Sequence, residues 1–61
     1  QIAEVAARGE EVFGEKERFI AWLSLPSAAL GKSTPEELLS SRFGAELVLD
    51  ELGRIEHGVV A

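Results

Sequence analysis

Apolar residues recur along this chain at steps of three and four, and glycine or proline interrupts the rhythm at intervals. From Ile2 to Phe13, the apolar and small positions Ile2, Val5, Gly9, Val12 and Phe13 share one side of a helix. Glu4, Arg8, Glu10 and Glu11 take the other side. This predicts a first helix over Ile2–Phe13, ended by Gly14. Glycine inside a helix costs about 1 kcal/mol against alanine, so Gly9 either weakens the case for this helix or signals a close helix–helix approach. A second helix is predicted over Glu15–Ser24, with Glu15 and Glu17 in its first turn, where the helix dipole favours acids. Its apolar face is Phe19, Ile20, Trp22 and Leu23. Leu25-Pro26 breaks it, because a residue before proline is pushed out of the α region.

Ser27 to Ser33 reads as a connector in which Ala28, Ala29 and Leu30 form one helical turn, Leu30 enters the core and Gly31 reverses the chain. Thr34-Pro35-Glu36-Glu37 is the sharpest local signal: Thr34 as N-cap, proline at the first helical position and glutamate three after the cap. This capping box opens a short helix over Pro35–Ser41 carrying Leu38 and Leu39. Arg42-Phe43-Gly44 is expected to be a hinge. The last helix, Ala45–His57, has Ala45, Val48, Leu49, Leu52 and Ile55 on one stripe, which Val59 continues. Glu46, Asp50, Glu51, Arg54 and Glu56 are placed opposite. Gly58 offers a left-handed stop, and an apolar tail, Val59, Val60 and Ala61, follows.

These patterns predict an all-α fold, a small compact bundle of about four short helices in a single domain spanning residues 1–61. Phe13, Phe19, Trp22, Leu30, Leu38, Leu39, Leu49 and Leu52 are the expected core. No strand pattern competes, since the β-branched run Val59-Val60 is too short. A chain of 61 residues buries only about 60% of its unfolded surface, and without cysteine no disulfide adds stability. Association with a partner or with a second copy is a natural source of further burial. The net charge of −5 argues against binding of nucleic-acid phosphates by this segment. No apolar run is long enough to span a membrane, and the lack of cysteine fits a cytoplasmic protein. The chain does not begin with methionine and is expected to be a piece cut from a longer protein.

Catalytic or metal chemistry finds little support. His57 is the single histidine and has neither an HExxH pattern nor cysteines to complete a zinc site. The serines lack a GxSxG or SxxK context, and capping or turn roles account for them. The acid pairs Glu10-Glu11, Glu15/Glu17 and Glu36-Glu37 read as solvated helix faces, because so small a domain offers little cleft between two carboxylates. Gly31-Lys32-Ser33 lacks the preceding glycine and strand of a phosphate loop. Neither enzyme activity nor a cofactor is expected. Arg54 stands out among the charged residues, because arginine is enriched at interface hot spots and this one lies beside the tail. Glu51, Arg54, His57, Gly58, Val59, Val60 and Ala61 are the candidate partner-binding residues.

The order of the pieces carries a resemblance. Trp22-Leu23, Pro26, Leu30-Gly31, Thr34-Pro35, Gly44, Val48-Leu49, Arg54-Ile55-Glu56 and Gly58 follow one another over nearly the whole chain. Together they resemble the toxin-binding domain of the Xre/MbcA/ParS antitoxin family, with His57 where that family usually has tyrosine. The resemblance implies an antitoxin of a type II toxin–antitoxin system. Its partner would be a RES-domain toxin that consumes NAD, neutralised by the last helix and C-terminal tail covering the active-site cleft. It also implies a preceding DNA-binding helix-turn-helix domain that represses the operon. The alternative reading is a helical dimerisation module of a transcriptional regulator, with a homodimer as the assembly.

Overall fold

A computed structural model describes residues 2–58. They form α1 (Ile2–Phe13), α2 (Lys16–Leu23), a 3₁₀ turn (Ala28–Leu30), α3 (Pro35–Leu38) and α4 (Arg42–Gly58), with no strand among the described residues. The all-α bundle is therefore the observed architecture, and α1 has the predicted bounds. Gly14 ends it at φ 75°, donating its N–H to the Glu10 carbonyl at 2.8 Å. Helix α2 is one residue shorter than expected at each end, because Glu15 is an extended N-cap and Ser24 the C-cap.

The connector winds around one carbonyl. Ser27 accepts from the N–H groups of Leu30, at 3.0 Å, and Lys32, at 2.7 Å. Gly31 and Lys32 both have φ 70°, so the reversal assigned to Gly31 takes two successive left-handed residues. The capping box then forms in full. Thr34 Oγ1 accepts from the Glu37 N–H at 3.2 Å, and Glu37 Oε1 accepts from the Thr34 N–H at 2.9 Å. Helix α3 ends at Leu38, short of Ser41.

Ser41 instead caps α4, its Oγ accepting from the Gly44 N–H at 3.0 Å. Arg42-Phe43-Gly44 is thus the first turn of α4 and not a hinge. Glycine at 44 serves packing, since a β-carbon there would collide with the Leu38 carbonyl oxygen. The far end also differs from expectation. Gly58 stays within α4 as its last described residue, because glycine permits a left-handed turn without requiring one.

Val5, Phe19, Ala45, Val48 and Leu52 form the buried centre. Of the expected core, Phe19 and Leu52 are fully inside. Phe13, Trp22, Leu38, Leu39 and Leu49 pack half-buried around them, and Leu30 is half-buried as well. The small or β-branched Val5, Ala45 and Val48 lie where α1 and α4 meet in the bundle's largest interface. Of the two readings of Gly9, close approach is the one observed, since the Phe19 ring occupies the space a side chain there would need. Phe13, Phe19 and Trp22 form an aromatic group, the Phe13 and Trp22 centroids 5.5 Å apart. This frame fixes α4 along its first half and presents its last turns.

Candidate partner-binding site

Glu51 is the unexpected residue of α4. It is only 7% exposed, although the sequence pattern placed it on the polar face. Its spacing explains why: Glu51 lies three residues after Val48 and seven after Gly44, both buried, so it shares their stripe. Arg54, one turn on, reaches back over it. Nε donates to Oε1 at 2.9 Å and Nη2 to Oε2 at 2.6 Å, a fork-on-fork pair. The Arg54 side chain remains 67% exposed. These hydrogen bonds, and then the Glu51 charge, raise the Arg54 pKa above its ordinary value, so the guanidinium is charged at every relevant pH.

His57 lies one turn beyond Arg54 and is 79% exposed, its Nε2 4.0 Å from Glu56 Oε1. The same Glu56 oxygen accepts from Arg8 Nη2 at 3.0 Å, which ties the end of α4 to α1. Arg8 Nε is buried without a hydrogen-bond partner. Arg54, His57 and Gly58 follow Glu51 at steps of three, six and seven, so these residues lie along one sector of α4. Glu51 and Arg54 thus form a bonded pair, with His57 and Gly58 on the next exposed turn. Val59, Val60 and Ala61 lie outside the described residues.

Two features escaped the sequence reading. One is the Arg8–Glu56 bridge, whose only sequence signal is that Arg8 adjoins Gly9 on the packed side of α1. The other is a groove of about 330 Å³ between α1 and α4, lined by Glu4, Ala7, Arg8, Glu11, Leu49 and Asp50. Its rim is acidic, and no group of acids or histidine among the described residues is placed to hold a metal ion. Nor, among those residues, is any helix long and apolar enough to cross a membrane.

Comparison with known proteins points in one direction. Residues 8–58 match the model of the antitoxin Xre/MbcA/ParS C-terminal toxin-binding domain. The chain is 46% identical over 46 residues to an antitoxin Xre of Yersinia enterocolitica, a match covering 75% of this chain and 31% of that protein. It is 42% identical over 48 residues to an antitoxin Xre of Photorhabdus laumondii, covering 79% of this chain and 32% of that one. The chain thus spans about a third of the length of the curated relatives it matches. No solved structure matches it.

Proposed function

Because the chain belongs to the family of antitoxin Xre/MbcA/ParS C-terminal toxin-binding domains, we propose that it is the toxin-binding part of a type II antitoxin. Its partner is a RES-domain toxin that consumes NAD. Neutralisation is steric: the last turns of α4 and the tail cover the toxin's active-site cleft, and this domain contributes no chemistry of its own. Repression of the operon belongs to a DNA-binding part of the full protein. The whole system acts in the cytoplasm.

The observation that carries this reading is the division of labour along α4. Between Gly44 and Leu52 it supplies the buried side chains that meet the rest of the bundle, while Arg54, His57 and Gly58 beyond them face solvent. A helix so anchored can present those turns without rearranging its own core. The acidic chain, at −5, complements a cationic NAD-binding surface.

The test pairs two readings of the antitoxin carrying this domain: its melting temperature, and inhibition of NAD consumption by the RES-domain toxin encoded beside it. Removing Val59, Val60 and Ala61 is expected to weaken inhibition and leave melting unchanged. Val60→Asp is expected to do the same by burying an unpaired charge at the contact. Inhibition at native potency after the deletion would rule out cleft covering by the tail.

A second reading has its own support. Phe43, on the first turn of α4, is 72% exposed, and Ile2, Ile20 and Leu25 are also exposed. A homodimer that covered Phe43 would gain its burial. Sedimentation equilibrium at high micromolar concentration decides it, and a strict monomer removes the dimerisation reading.

A further inference from the structure

Glu51 is poorly explained by the fold. It stands on the buried stripe of α4 between the fully buried Val48 and Leu52. Among the described residues its only polar partner is Arg54, which is itself mostly exposed. Desolvating a carboxylate for one partly solvated cation gains little stability, and a well-packed apolar residue at such a place is commonly neutral or better. Its shape is nevertheless specific: both carboxylate oxygens are engaged, one by Nε and one by Nη2. That consumes one edge of the guanidinium. The two N–H groups of Nη1 and the second of Nη2 are left for another acceptor.

We propose that Glu51 is a positioning residue, which holds the Arg54 fork outward and ready for an oxygen acceptor on the toxin. This rests on the toxin-binding reading above. A free surface arginine must give up much rotamer freedom when a partner fixes it. Here folding has already fixed it, through a carboxylate that packing holds in place. The pair is also neutral overall. Arg54 therefore brings directed donors to the contact without adding net charge to it, and a cationic toxin surface does not repel it.

The experiment is a double-mutant cycle in the full-length antitoxin, with binding to the RES-domain toxin encoded beside it read by calorimetry and folding read by melting. Glu51→Leu is expected to melt at or above the native temperature and to weaken binding about tenfold. Arg54→Ala is expected to weaken binding at least as much. The double variant is expected to bind no more weakly than Arg54→Ala alone, because Glu51 acts only through Arg54. Glu51→Gln, which keeps the shape and a single acceptor oxygen, is expected to fall between wild type and Glu51→Leu. A role in folding alone would move melting and leave that coupling at zero. A Leu variant that binds as tightly as wild type, fails to fold, or adds its loss to that of Arg54→Ala overturns the proposal. A wild-type protein that does not bind this toxin overturns the toxin reading and the positioning role with it.

Discussion

Gly44 lies so close to the carbonyl of Leu38 that no β-carbon fits between them. This contact sets how α3 packs on α4, and the obstacle is backbone, which cannot swing aside. Gly44→Ala is therefore expected to destabilise the domain by about 2–3 kcal/mol or more, despite the better helix propensity of alanine. Urea unfolding measures it. A midpoint equal to that of the native chain would show that α3 can shift at little cost.

Gly53 makes the opposite case on the same helix. A β-carbon there would meet only Arg8 Nη2, at an ordinary 3.9 Å. Gly53→Ala is expected to stabilise the domain by about 0.5–1 kcal/mol, the helix-propensity gain with no steric penalty. A fall in melting temperature would mean that the Arg8–Glu56 bridge has been displaced.

Phe19 and Trp22 should separate by burial and not by size. Phe19 is inside and fills the space over Gly9, whereas the larger Trp22 is half-buried at the edge of the aromatic group. Phe19→Ala is expected to cost about 3–5 kcal/mol, enough to unfold so small a domain, and Trp22→Ala about 2 kcal/mol. Circular dichroism melts of the two variants give the order. A tryptophan variant less stable than the phenylalanine one would contradict it.

The capping box predicts an acid-sensitive step. The backbone N–H of Thr34, and then its hydroxyl, bond the Glu37 carboxylate and hold its pKa below the ordinary glutamate range. A carboxyl group lowered on folding stabilises the native state above its unfolded pKa, about 4.3, and that contribution is lost as pH falls through the folded value. Glu37→Gln is expected to flatten the stability profile below about pH 4.5 and to leave its slope near neutrality unchanged. Thr34→Ala, which removes the N-cap, is expected to cost about 1 kcal/mol at neutral pH. Denaturant titrations across this range check both.

What could be read from the chain was whatever a single segment decides. The capping box at Thr34, the stop at Gly14 and the stripe of α1 from Val5 to Phe13 are local and are found in the structure, whereas Ile2 at its start is exposed. Ser41 follows the Leu38-Leu39 run closely enough to read as the end of one helix, and the bond from the Gly44 N–H to its hydroxyl makes it the cap of the next. At the site, Arg54 stands out as an arginine beside the tail, and helical spacing sets Glu51, His57 and Gly58 near it on α4. That same spacing set Glu51 on the buried stripe, but its charge argued for the solvent side. Only the reach of Arg54 shows how a carboxylate is accommodated there. The Arg8–Glu56 bridge joins residues 48 apart, beyond any local pattern.

That bridge also makes α1 a bystander with a stake in whatever happens at the end of α4. Helix ends fray, and fraying of α4 past Glu56 would release Arg8 and loosen the α1 seam behind it. A partner that grips the last turns of α4 would suppress that opening from outside. Amide protons of α1 around Arg8, which such a partner need not touch, would then exchange with solvent more slowly in the complex than in the free domain.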